Sequence, residues 1–272
     1  MYQVLVPVDR DETRALHQAK YVTRLPDAAS DVEATVCYVV PPDEFADADE
    51  VTFEDVDAAV DAAAHLDAAG VSVTRRVDDG SPSAEIVRLV DELDADEVVM
   101  GGRKRSGVAR VLLGSTVQDV TLSTRQPVTV TGRDSRLGDG VRRVLVPVDR
   151  DETRALHQAR YVANLPGDPE TIEATVCYVF AHQDYRGAPH HEFEEVDAAV
   201  AAADYLADEG VSVDRVVTGG EVARTIIDAA EERDVDGIVM GGRKRSGVQK
   251  VLLGSTVQDV MVSAERPVTI TG

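Results

Sequence analysis

The sequence predicts an α/β protein of two repeated, doubly wound (Rossmann-like) domains, each with a five-stranded parallel sheet in the order 3-2-1-4-5. Three observations carry that prediction. Short Val-rich runs alternate along the chain with stripes of helical period. Those runs are apolar almost throughout, as strands buried on both faces require. The pattern also occurs twice: VLVPVDRDETRALHQA stands at 4–19 and 144–159, GGRKRSGV at 101–108 and 241–248, and VLLGSTVQDV at 111–120 and 251–260. The offset is 140 each time, and aligning 1–132 on 141–272 gives about 75 identities without a gap. That is a tandem duplication of one domain, not a solenoid of short units. The expected domains are 1–132 and 141–272, joined by a polar linker at 133–140 (RDSRLGDG).

In the first copy Val4–Val8 is a short apolar run and the first strand. Asp11–Leu25 then carries Ala15, Leu16, Ala19, Val22 and Leu25 on one helical stripe. Val36–Val40, led in by Ala34 and Thr35, is the second strand. Glu54–Ala69 is an Ala-rich amphipathic helix that stops at Gly70, a helix C-terminal signal. Val71–Val77 alternates as a strand, Ser83–Leu93 is helical and Glu97–Gly101 is a strand. Helix Ser115–Thr124 and strand Pro127–Thr131 close the unit. Strictly alternating strands and helices imply a parallel sheet with helices on both faces. Such sheets take ligands beyond the C-terminal ends of their strands, where the strand order switches. Pro7–Asp11, Val39–Pro42 and Gly101–Ser115 are therefore the segments to watch.

With 272 residues, roughly 135 per half, each copy can bury a core without disulfides or metal. No apolar run reaches the length of a membrane span, so none is expected. MYQVLVPVDRDE has no basic segment before its apolar run and is not read as a signal peptide. A cytoplasmic location is expected, and only two cysteines suit a reducing compartment. The 50 Asp and Glu against 28 Lys and Arg give a formal net charge of -22. That field disfavours nucleic acid and anionic lipid as partners. Only Lys20, Lys104, Lys244 and Lys250 are lysines, and there is no Trp. This bias resembles that of proteins from salt-in halophilic archaea, where an acidic surface is an adaptation to salt.

The segment richest in chemistry is MGGRKRSGVARVLLGSTVQDV at 100–120, with its twin at 240–260. A strand ends at Met100-Gly101, a loop of glycines and cations follows, and Gly114-Ser115 opens a helix. Glycine lets the backbone approach a ligand, and free N–H groups at a helix start attract anions. Arg103, Lys104, Arg105 and Arg110 add positive charge. Two readings stand: an anion, most plausibly phosphate, is bound here, or Ser115 and Gln118 form an S-x-x-Q capping box with nothing bound.

A strand ending V-x-V-D, then V-M-G with a loop, G-S opening the last helix, and P-V-x-V resembles the universal stress protein family, over nearly all of both copies. The nucleotide-binding branch of that family carries G-x2-G-x9-G-[ST]. Gly101, Gly114 and Ser115 match its spacing, as do Gly241, Gly254 and Ser255, but Lys104 and Lys244 stand at its second glycine. The resemblance implies an adenine nucleotide (ATP, or ADP or AMP, with Mg²⁺ accompanying ATP) in each copy. Asp9 would lie beside it, with Pro7, Val8 and Met100 at the wall and Val39 holding adenine through its backbone. Gly101 and Arg103 would border ribose and phosphates, and Lys104, Gly114, Ser115 and Thr116 would meet phosphate. Pro147, Val148, Asp149, Val179, Met240, Gly241, Arg243, Lys244, Gly254, Ser255 and Thr256 repeat the set. Either each lysine weakens the phosphate end by restricting the loop, or its ammonium contacts phosphate directly.

Cys37 and Cys177 are expected to be buried packing residues. Asp9 and Asp149 either contact the ligand or cap the following helix. His182, His190 and His191 sit near Glu192 and Glu194 only in the second copy and are read as a solvated loop rather than a metal site. His17 and His157 are expected at the surface. No nucleophile elbow, zinc-protease motif or P-loop is present, so the chain is not expected to be an enzyme. The expected function is a nucleotide-binding regulatory protein of the stress response, with an as yet unknown protein partner. The alternatives are a nucleotide-independent interaction module and, more weakly, a slow ATP hydrolase or phosphotransferase. By the same resemblance the last strands, Pro127–Thr131 and Pro267–Thr271, would pair within one chain as an internal pseudo-dimer, with homodimers also open.

Overall fold

The structure is a computed structural model in which residues 1–42, 51–102, 114–132, 140–181, 191–242 and 253–272 are described. The first half runs β1 (Tyr2–Val8), α1 (Glu12–Val22), the single turn α2 (Ala28–Asp31), β2 (Val32–Val40), α3 (Asp57–Ala68), β3 (Ser72–Asp79), α4 (Pro82–Glu92), β4 (Glu97–Gly101), α5 (Ser115–Ser123) and β5 (Val128–Thr131). The second runs β6 (Arg142–Val148), α6 (Glu152–Ala163), β7 (Ile172–Ala181), α7 (Asp197–Asp208), β8 (Ser212–Gly220), α8 (Val222–Glu232), β9 (Gly237–Gly241), α9 (Ser255–Ser263) and β10 (Val268–Thr271).

The sheet order is β3-β2-β1-β4-β5-β10-β9-β6-β7-β8. Each half has the predicted doubly wound order, with parallel pairing inside it. Each copy keeps its five strands, and the last strands pair within the chain as the resemblance implied. β5 and β10 pair antiparallel, Val268 opposite Val130 and Ile270 opposite Val128, so the two sheets fuse into one of ten strands. The reason is chemical: VTVT and VTIT carry no charge, and an uncharged apolar edge is stable only when paired or covered.

Period-two alternation sorts each strand between two helix layers. Val4, Val6 and Val8 pack with the buried faces of α1 and α3, while Leu5 and Cys37 pack with those of α4 and α5. The first layer is lined by small residues such as Ala15, Ala19, Ala59 and Ala62, which bring the helices close to the sheet. Several element edges differ from the sequence prediction, β1 starting at Tyr2 and β3 running to Asp79 among them. α1 stops at Val22, and a left-handed Asp27 (φ 47°) opens the unpredicted turn α2. β2 starts at Val32, where it meets Tyr2 of β1. α3 starts at Asp57, after a 3-10 turn Phe53–Asp55 held by a Thr52–Asp55 capping box.

Candidate functional site

β1 pairs with β4 only through Val4–Glu97 and Leu5–Val98, after which the two strands diverge toward their C-terminal ends. The gap is bridged by Gln18, a buried amide on α1 that donates to the carbonyls of Pro7 and Val99, 2.7 Å each. Gln158 does the same for Pro147 and Val239 at 2.8 Å. This split is the strand-order switch, and an open cavity of about 320 Å³ lies beyond it in each half.

The turn from β1 into α1 is fixed by two aspartates with separate tasks. Asp11 is the N-cap, accepting from Arg14 N at 3.0 Å. Asp9 accepts from Asp11 N at 3.0 Å and from the Arg14 guanidinium at 2.5 Å. Asp149, Asp151 and Arg154 repeat this, with the guanidinium 2.6 Å from Asp149. The helix-cap reading of Asp9 and Asp149 is thus corrected: the residue two places on does the capping, because only there can a side chain reach the N–H of Arg14 or Arg154. Gly101 sits under this pair, where an added Cβ would come within 3.0 Å of Arg14 and Gln18.

The opposite rim is the start of α5. Gly114 is its N-cap, with φ -60°, ψ 148° and no side-chain cap hydrogen bond, and Ser115 is the first helical residue. The S-x-x-Q capping box is therefore not formed. Its serine would have to stand one place earlier, where Gly114 is. The first intrahelical bond runs from Gln118 N to Gly114 O, so the N–H groups of Ser115, Thr116 and Val117 have no helix carbonyl to meet. Gly254 and Ser255 open α9 in the same way.

Pro7, Val8, Asp9, Val39, Met100, Gly101, Gly114, Ser115 and Thr116 all line the first cavity. Pro147, Val148, Asp149, Val179, Met240, Gly241, Gly254, Ser255 and Thr256 line the second. Arg103, Lys104, Arg105, Arg110, Arg243 and Lys244 lie outside the described residues, as do His182 and His190. Sequence reasoning missed Arg14, Gln18, Tyr38 and Ile86 and their counterparts Arg154, Gln158, Tyr178 and Ile226. One signal was available: Arg14 and Gln18 are four apart on one helix face and unchanged in the second copy.

His191, read as part of a solvated loop, is half-buried, stacks on Phe180 at 3.9 Å and has Nδ1 2.8 Å from Glu195. His17 and His157 are partly exposed, on α1 and α6, which touch β5 and β10 at the joint between the halves. Among the described residues no group of three or more His, Cys, Asp or Glu could hold a metal ion, and no helix is long and apolar enough to cross a membrane.

These features define a tandem, doubly wound α/β protein with a pocket at the strand-order switch of each half, the position at which this class takes ligands. A sequence profile of the universal stress protein family matches residues 1–132 and again 140–272, and the chain belongs to that family. A universal stress protein of Methanocaldococcus jannaschii is 26% identical over 139 residues, 47% of this chain and 81% of that protein. One of Mycobacterium bovis is 26% identical over 197 residues, covering 70% of this chain and 65% of that protein. The crystal structure of a universal stress protein from Archaeoglobus fulgidus shares the fold, with a TM-score of 0.75 at 22% identity over 99% of this chain and 97% of that one.

Proposed function

We propose that the protein is a regulatory binding protein of the stress response that takes one adenine nucleotide, ATP in the first instance, in each half. The two domains are 1–132 and 141–272, and 133–140 is their linker. The observation that carries this is the uncapped start of α5 facing Arg14 across the first cavity, repeated at α9 and Arg154. A helix start acts as roughly half a positive charge and presents free N–H groups to an anion. Val8, Val39, Ile86 and Met100 supply apolar walls for a flat base. The residues fit the nucleotide in this way: the Val39 backbone holds adenine, Gly101 leaves room for ribose, and Gly114, Ser115 and Thr116 hold phosphate. Lys104 and Lys244, which occupy the second-glycine position of the family motif, are read as phosphate contacts. Mg²⁺ would arrive with the triphosphate and lie near Asp9. The protein is read as a binder, not an enzyme, located in the cytoplasm.

The test is calorimetric titration of ATP, with and without Mg²⁺, in about 2 M KCl to screen the acidic surface. Two sites per chain are expected, with thermal stabilisation that grows with ligand concentration. Gly114 and Gly254 have ordinary negative φ, and a Cβ at Gly254 would meet nothing within 4 Å. Gly114→Leu with Gly254→Leu should therefore abolish the heat while the free protein still folds, its melting temperature lowered by about 5 °C because leucine is a poorer N-cap than glycine. No heat and no stabilisation in the parent chain would replace this reading with that of a nucleotide-independent interaction module.

A further inference from the structure

A buried polar cluster fills the axis of the joint between β5 and β10. Most of it is symmetric under the 140-residue repeat. The Tyr21 and Tyr161 hydroxyls are 3.2 Å apart, and those of Thr129 and Thr269 are 2.6 Å apart. Two positions break the symmetry: Glu97 has Gly237 as its counterpart, and Tyr2 has Arg142.

Glu97 is fully buried and accepts from Tyr2 at 3.1 Å, Tyr21 at 2.9 Å and, across the joint, Tyr161 at 3.1 Å. Thr129 donates to the same carboxylate. Arg142, also buried, comes from the other half and stacks its guanidinium on the Tyr21 ring at 5.1 Å. It fills the room that Gly237 vacates, since its Nη2 is 3.6 Å from where a Cβ at Gly237 would stand. Among the described residues, the carboxylate that takes the joint hydroxyls therefore comes from the first half and the guanidinium stacked on Tyr21 from the second, whose own Asp236 lies near enough to act on it electrostatically.

We propose that Glu97 and Arg142 are pairing-specificity residues, which make the last-strand edge of the first half fit the edge of the second half and reject a second copy of itself. Two first halves joined this way would bury two carboxylates at one set of hydroxyls without an arginine. Two second halves would bury two guanidiniums at those hydroxyls with no Glu97, leaving each only the partly exposed Asp236 of its own half. An uncompensated buried charge costs far more than a balanced pair, and such like-charge penalties are how interfaces exclude wrong partners. The duplicated chain is thereby a closed unit of unlike halves, and dimers that exchange like halves between chains are excluded.

Three full-length variants test this. Arg142→Tyr with Gly237→Glu puts the first half's set in both halves, and Tyr2→Arg with Glu97→Gly puts the second half's set in both. The quadruple variant exchanges the sets, so acid and cation again lie one in each half of the joint. Each double variant should melt about 10 °C or more below the parent, and the quadruple should recover most of that loss and sediment as the parent does. Both doubles melting with the parent would overturn the proposal. So would a quadruple variant that melts no higher than the lower double, which is what a purely local packing role predicts. If neither double folds, a folded quadruple upholds the proposal and an unfolded one overturns it.

Discussion

Cys37 and Cys177 lie on the middle strand of each outer trio of the sheet, buried beneath the α4 and α8 layer. Burial pushes the Cys37 thiol up to about 12, with Asp78 adding to it, and the Cys177 thiol up to about 11. A raised thiol pKa means that the folded state holds its proton more tightly than the unfolded chain does. The associated stability is fully present below the unfolded value of about 8.5 and is lost as pH rises beyond it. Neither cysteine should react with a thiol reagent at about pH 8 in the native protein, and both should react in denaturant. Stoichiometric labelling of the folded chain would contradict the burial. At this scale the sequence marked the cysteines correctly as apolar packing. It did not mark Gln18, whose four-residue spacing from Arg14 points to a shared helix face but not to the carbonyls of Pro7 and Val99 that it bridges.

The strands show why some element boundaries were legible and others were not. β4 was read to the residue, since a five-residue run buried at all but its last residue has sharp ends. β3 and β8 form the outer edges of the sheet and carry their own protection in charge. Arg75 pairs with Asp67, Arg76 with Asp78 and Glu92, and Arg215 with Asp204. Charged side chains on an edge strand block pairing with a further strand. β5 and β10 lack them, and their pairing is the consequence. The approach there is close: a Cβ on Gly132 would lie 2.0 Å from the carbonyl oxygen of Glu265. Gly132→Ala should therefore destabilise the chain by about 2 kcal/mol, lowering the melting temperature by about 5 °C, as overpacking does. An unchanged melting temperature would mean that the two halves do not approach at that point.

The whole molecule carries a formal net charge of -22, yet the joint between its halves contains buried residues of both signs. Self-repulsion of such a surface weakens the compact state and is relieved as salt shortens the screening length from about 10 Å at 0.1 M to about 3 Å at 1 M. We expect the melting temperature to rise steadily between about 0.1 M and about 2 M KCl. A flat profile would remove the reading of the acidic surface as a salt adaptation. The fused sheet also gives the two pockets a shared scaffold, because β4 and β9, whose C-terminal ends border them, each pair with a strand of the joint.

Sequence alone determined the fold class, the duplication, the order of elements and the described pocket residues at the strand ends. Fold class, duplication and element order follow from local periodicity and self-similarity, the pocket segments from the rule that ligands sit where strand order switches, and the individual pocket residues from the family resemblance. The tertiary structure decided what depends on residues far apart in the chain. Asp9 is paired with Arg14, and Gly114 rather than Ser115 is the N-cap of α5. The register that sets Val268 opposite Val130 is fixed only in the joint, and Glu97 finds its partners 95, 76 and 64 residues away. A buried carboxylate is held by whichever donors the packed chain brings to it, and no spacing along the sequence encodes that encounter.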